Sequence, residues 1–156
     1  MLNLHLIVLG KLKESYWRDA ETEYLKRLRP YTKITLTEIP EEPFREHDDK
    51  EKIKEKEALK LRPHLPDAGI VIALHERGRE YTSPEFAGFL QEHSTRGEKL
   101  TFIIGGPLGL HESVLQSSQQ QISLSSLTFP HQMARTILLE QIYRGVTIAQ
   151  GKRYHY

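Results

Sequence analysis

Cysteine is absent from the 156 residues, which excludes disulfides and thiolate-bound metal. No stretch approaches the run of about 20 apolar residues that a bilayer crossing requires. The eight histidines show no metal-ligand spacing, so no metal site is expected. The apolar opening, residues 1–10, lacks a basic leader and a small-residue cleavage site, and it reads as a strand rather than a signal peptide. Together these absences fit a cytoplasmic protein. Internal repeats and low-complexity linkers are missing too, and the length suits one domain spanning residues 1–156.

Charge of one sign is also scarce overall. The formal net charge is +1, so no global basicity advertises a polyanionic partner. The distribution is less even. From Ser113 onward the only acid is Glu140, whereas Arg135, Arg144, Lys152 and Arg153 all fall there. A locally basic end of a near-neutral chain is able to bind RNA, and ordinary surface charge is the competing explanation.

Residues 4–9 form a short apolar run ending at Gly10, the pattern of a strand. Trp17, Ala20, Tyr24 and Leu28 recur at helical spacing before Pro30. Residues 34–39 alternate as a half-buried strand. Asp48 with Glu51 forms a candidate capping box for a charged helix through Leu61, whose few apolar anchors suggest a solvated element. Further strands are expected over 70–74, 100–104 and 122–124. Ser83 with Pro84 opens one helix, another follows over about 111–118, and a long final helix runs from Pro130 to about Ala149. That last helix is apolar nearly all round, so it needs cover on several sides, and a subunit interface is one source of it. Strands alternating with helices indicate an α/β fold with a mostly parallel sheet and helices on both faces. Ligands of such sheets sit at the carboxyl ends of strands, here after Leu74, after Ile104 and after Leu124.

Three segments carry candidate chemistry. Gly105-Gly106-Pro107-Leu108-Gly109 follows a buried strand and lets backbone or ligand approach closely. It matches neither a Walker A loop nor GxGxxG, and a tight structural turn is the alternative. Residues 124–131 place small hydroxyl residues between apolar ones, a combination suited to a purine, though also to simple helix capping. The third segment runs from His131 to Tyr156. His131 at a helix start is disfavoured in its protonated form and is able to accept a proton. Arg135 and Arg144 are candidate anion ligands, with an i,i+4 pair between Glu140 and Arg144 as the plainer account. Tyr154 and His155 beside Lys152 and Arg153 suit stacking on unpaired RNA bases, and terminal disorder is the alternative.

Taken together and in this order, these segments resemble the ribosomal RNA large-subunit methyltransferase H family of the SPOUT superfamily, over essentially the whole chain. The resemblance rests on Leu9-Gly10-Lys11-Leu12-Lys13, on residues 23–28 and on the 103–109 loop. It is most specific in Leu127-Thr128-Phe129-Pro130-His131-Gln132-Met133, in Glu140-Gln141-Ile142-Tyr143-Arg144 and in the ending Tyr154-His155. The resemblance implies a deep trefoil knot in the C-terminal third, within a cofactor-binding region of about 70–156, a rare exception to ordinary topology. It implies a homodimer with an active site built across the interface. The implied reaction transfers a methyl group from S-adenosyl-L-methionine to N3 of a pseudouridine in 23S rRNA. The family's cofactor contacts fall on Leu74, Gly105, Leu124, Ser125, Ser126, Leu127, Thr128 and Phe129. Arg135, Tyr143, Arg144, Tyr154 and His155 match positions around the substrate.

The target nitrogen must lose a proton before it attacks, so a base near neutral pKa is expected; His155 is favoured and His131 is the other candidate. Arg135 or Arg144 is expected to stabilise charge on the base's carbonyl oxygens. With no appended RNA-binding domain, the chain is expected to need assembled ribosomal particles. Three other readings compete: a methyltransferase of tRNA ribose, a ribosome-binding protein without catalysis, and a flavodoxin-like nucleotide binder.

Overall fold

A computed structural model describes residues 1–154. Five strands and five helices alternate along the chain: β1 (Leu2–Leu9), α1 (Ser15–Leu28), β2 (Thr32–Ile39), α2 (Lys50–Leu61), β3 (Ile70–Arg79), α3 (Ser83–Thr95), β4 (Lys99–Ile104), α4 (Glu112–Ser117), β5 (Gln120–Ile122) and α5 (His131–Ala149). The strands form one sheet in the order β2-β1-β4-β3-β5, and each of these pairings is parallel. Their carboxyl ends therefore open on one edge. β1 and β4 are central, with both faces covered, which is why each reads as a continuous apolar run. No described helix is long and apolar enough to cross a membrane.

Alternate residues of the central strands feed two cores. Leu4, Leu6, Ile72, Leu100 and Phe102 face α1, α3 and α5 through Leu28, Phe89, Leu90, Leu138 and Ile142. Ile7, Leu9, Ala73 and Ile103 face α2 and α4 through Ala58, Leu61, Val114 and Leu115. Fully burying each large aliphatic side chain contributes roughly 1.5–3 kcal/mol before chain entropy is counted.

The structure corrects several sequence expectations. The charged helix is not merely solvated: Ile53, Glu57, Ala58 and Leu61 are buried, and α2 roofs the second core. Its cap is Asp49, whose carboxylate accepts from the amides of Glu51 and Lys52, while Asp48 accepts from Arg45. The cap of α3 is Thr82 rather than Ser83, in a complete capping box with Glu85. The third strand runs on to Arg79 through an irregular pairing with β5. β5 covers 120–122 rather than 122–124, so Leu124 lies in the loop beyond it. No residue of α5 is fully exposed even in the single chain, because α1 and α3 pack along it and Gly145 lets Leu90 approach. Much of the cover expected from a second subunit is thus supplied internally.

Candidate active site

A cavity of about 170 Å³ opens at the carboxyl edge of the sheet. Its walls come from three neighbouring strands and the start of α5: Leu74 and His75 in β3 just past its pairing with β4, Ile104 and Gly105 at the end of β4, Ile122 and Leu124 at and beyond the end of β5, then Phe129 and His131. Gly105 stands where the chain must pass close to itself. A Cβ there would lie 2.9 Å from the carbonyl carbon of Gly109, which is backbone and unable to swing away. Gly109 closes the turn at φ +79°, its amide donating to the Gly106 carbonyl at 3.0 Å. The loop after β5 is fixed by its own bonds. The Ser123 hydroxyl donates to the Ser125 carbonyl at 2.9 Å, and the Leu127 amide donates to the Ser125 hydroxyl at 3.0 Å. Leu127 remains 75% exposed, an apolar side chain at the mouth with nothing of its own chain over it.

Of the eight residues matched to cofactor contacts, Leu74, Gly105, Leu124, Ser125, Leu127, Thr128 and Phe129 line this one cavity. Ser126 does not; its hydroxyl donates outward to Glu80 at 2.7 Å. A wider recess of about 720 Å³ continues from the same walls over Pro107, Leu108 and Pro130 toward Lys54. His131 borders both spaces. Burial lowers its pKa, Lys13 and Arg135 push the same way, and Glu41 opposes them.

The residues matched to the substrate divide into two groups. Arg135 is 4% exposed and its guanidinium is occupied within the chain. Two of its nitrogens donate to Glu21 of α1, one at 2.8 Å, and a third donates to Glu38 of β2 at 2.9 Å. Burial alone would lower its pKa, but these two carboxylates outweigh that and raise it. Arg135 in this arrangement is a strut between α5, α1 and β2, not an anion ligand facing a cleft.

Arg144, Tyr143 and Tyr154 form the other group, further along α5 and beyond its end, where Tyr143 packs against the first core. Arg144 donates to Glu140 at 2.6 Å and lies over the Tyr154 ring at 4.9 Å. Tyr143 and Tyr154 meet edge to face at 4.7 Å, and the Tyr154 hydroxyl donates to Glu140 at 3.3 Å. Burial and the neighbouring Tyr24 push the Tyr154 phenol up to about 12. From residue 131 to residue 140 is about 14 Å along the helix axis, at about 1.5 Å per residue. One chain therefore does not bring this cluster to the cavity. His155 lies outside the described residues.

Sequence reasoning missed four carboxylates that shape this region: Glu21, Glu38, Glu41 and Glu57. Glu57 is 3% exposed, and burial, with Glu41 and Glu42 nearby, raises its pKa. Nothing local in the sequence marks these residues, since their partners are distant along the chain. Among the described residues no group of three or more His, Cys, Asp or Glu side chains is placed to hold a metal ion.

Comparison with known proteins bears on the family and the fold. The family model described as "Predicted SPOUT methyltransferase" matches residues 2–155. A Listeria welshimeri protein named "Ribosomal RNA large subunit methyltransferase H" is 44% identical over 158 residues, covering 99% of this chain and 99% of that one. A Listeria monocytogenes protein of the same name is 42% identical over the same shares. Among solved structures, a probable methyltransferase from Bordetella pertussis Tohama I superposes with a TM-score of 0.60 at 12% identity, over 93% of this chain and 96% of that one. At that identity the likeness speaks for the fold alone.

Proposed function

The chain belongs to the SPOUT methyltransferases and, among them, to the ribosomal RNA large subunit methyltransferase H family; on that premise we propose that it methylates large-subunit ribosomal RNA. The donor in this proposal is S-adenosylmethionine, the acceptor is N3 of a pseudouridine in 23S rRNA, and a cytoplasmic homodimer acts on assembled ribosomal particles.

The observation that carries the reading is the convergence of Leu74, Gly105 and the 124–129 loop on one cavity. These residues fit an adenosyl group. Leu74, Leu124, Leu127 and Phe129 offer apolar walls for a purine, and the main chain of the loop offers polar atoms for its edge. Gly105 and Gly109 leave the backbone bare beside it. When bound, the donor supplies a methyl group already activated on a sulfonium. The chain's own part is to hold the two reactants in line, exclude water and accept the proton that N3 must lose. His131 borders the cavity and the adjoining recess, and His155 is a second candidate on the resemblance alone.

The homodimer is supported by the separation along α5. Arg144 and Tyr154 lie too far from their own cavity to act there, so a partner's tail completes the site in this proposal. A deep trefoil knot over about residues 70–156 belongs to it as well. Its support is how closely the end of β3 lies on the chain leaving β5. A Cβ on Gly78 would lie 2.6 Å from Ile122 backbone atoms, and the Ser123 amide donates to the Arg79 carbonyl at 3.0 Å.

Transfer of tritium from labelled S-adenosylmethionine to ribosomes lacking the modification tests the proposal, with nucleoside mass spectrometry of the product. Label is expected on 23S rRNA only after prior pseudouridylation. Label on tRNA ribose, or binding of the donor without any incorporation, would overturn it. Efficient methylation of a short isolated hairpin would remove the requirement for assembled particles.

A further inference from the structure

The loop after β2 is fastened to α2 on both sides of Glu41. Lys60 donates to the Pro40 carbonyl at 3.1 Å and pairs with Glu42 at 2.6 Å, while the Glu42 amide donates to Glu57 at 3.1 Å. This fastening drives the Glu41 side chain into the crevice between the ends of β1 and β4. A Cβ on Gly10 would lie 3.0 Å from its Oε2, and a Cβ on Gly106 would lie 3.4 Å from it. That crevice is the switch point of the sheet, because β1 is followed by a neighbour on one side and β4 flanks it on the other.

Oε2 of Glu41 is buried and has no hydrogen-bond donor. An orphaned buried acceptor is destabilising, more so when charged. A lysine and an imidazole stand near the carboxylate. Lys13 is 3.8 Å from Oε1, and Nε2 of His131 is 3.9 Å from Oε2, beyond hydrogen-bond reach but within a small side-chain rotation of it. The Lys13 amide also donates to Gln132 at 3.0 Å, which ties the loop after β1 to the first turn of α5. Around His131 most features oppose an imidazolium: burial, the helix start, Lys13, and Arg135 one turn along. Lys54, His75 and Glu76 border the adjoining recess. Glu41 is the group packed against the imidazole that favours its protonated form.

We propose that Glu41 is a positioning residue that holds His131 as the acceptor of the target-nitrogen proton. This rests on the methyl-transfer reading above and goes beyond it by assigning the base. With Nε2–H turned toward Glu41, Nδ1 carries the lone pair. As the N3–H bond breaks, its electron pair stays on nitrogen and the proton passes to Nδ1. The N3 pair then forms the bond to the methyl carbon, and the carbon–sulfur pair returns to sulfur. The imidazolium closes on the waiting Oε2 and later releases its proton to solvent.

The test combines an NMR titration of the His131 imidazole with single-turnover methylation of ribosomes across pH, in wild type, Glu41→Gln, Glu41→Asp and His131→Gln. Glu41→Gln removes the charge that favours the imidazolium. His131 is then expected to titrate at lower pH, and the acidic limb of the rate profile to move down with it. The plateau is expected to fall about tenfold, and His131→Gln to lose about a hundredfold. Glu41→Asp is expected to recover part of the loss, and donor affinity by calorimetry to stay within about twofold. An unchanged His131 titration in Glu41→Gln, or wild-type rates in His131→Gln, would overturn the inference while leaving the methyltransferase reading intact. Absence of any transfer by the wild type would instead remove that reading, and this inference with it.

Discussion

The two ends of α5 are built differently. At its first turn the site is built from main chain and shape: bare glycines, a self-bonded loop and a desolvated imidazole, all held by strand ends. Further along, the surface is built from side chains, with Tyr24, Tyr31 and Tyr143 packed among Arg27, Arg144 and Lys152. Each ring or cation–π contact is weak by itself, and together they form the surface. The first end is specified by neighbours far away in sequence. The second is specified by the residues themselves. Arg135 sits between them and fixes the helix that carries both.

Removing that strut should have the largest effect. Arg135→Met leaves Glu21, itself 8% exposed, without a partner. Loss of one member of a buried pair costs about 3–5 kcal/mol. Chemical denaturation is expected to show that loss, with partial recovery in Glu21→Gln combined with Arg135→Met. Unchanged stability together with weaker RNA binding would make Arg135 a substrate ligand after all, and would erase the distinction drawn between it and Arg144.

The next pair of variants pulls the two ends apart. Gly105→Ala forces a methyl group to within 2.9 Å of Gly109 backbone. Overpacking of this kind costs about 1–3 kcal/mol, so donor affinity by calorimetry is expected to fall about tenfold or more while binding to ribosomal particles is kept. Tyr154→Ala is expected to do the reverse. It removes a stacking face worth about 1–3 kcal/mol per base, weakening particle binding by about tenfold or more and leaving donor affinity unchanged. Loss of donor affinity in Tyr154→Ala would mean that the tail belongs to the donor pocket.

The same contrast explains what the sequence disclosed. β1 and β4 were legible because strands covered on both faces need unbroken apolar runs, and the glycine loop because close backbone approach excludes side chains. The tail cluster was legible as a set of residue types. The role of α2 was not, because its buried face holds only a few apolar residues and a carboxylate, and its fastening to the 40–42 loop depends on Lys60 and Glu57. The strut was hidden for a related reason. Arg135 and Glu21 are 114 residues apart, and without that pairing an arginine in a basic segment looks like an anion ligand. Ser126 shares the loop of its neighbours, but its hydroxyl turns to Glu80, a partner 46 residues away that the loop sequence does not announce.

The smallest expected effect tests how firmly the tail is docked. The Tyr154 phenol is raised from 10 to about 12, first by burial and then by the neighbouring Tyr24. A group raised on folding contributes its stabilisation fully below its unfolded pKa and loses it as pH climbs through the folded value. Docking of Tyr154 on Tyr143 and Glu140 should therefore hold up to about pH 10 and loosen as the pH approaches 12. Ultraviolet titration of tyrosinate follows this directly. Tyr154→Phe is expected to remove one late-ionising phenol of the seven tyrosines and leave the cavity's donor affinity unaltered. If the missing phenol instead titrates near 10, the tail is not held against α5 in the free chain, and the second end of the helix acquires its order only on meeting RNA or a partner.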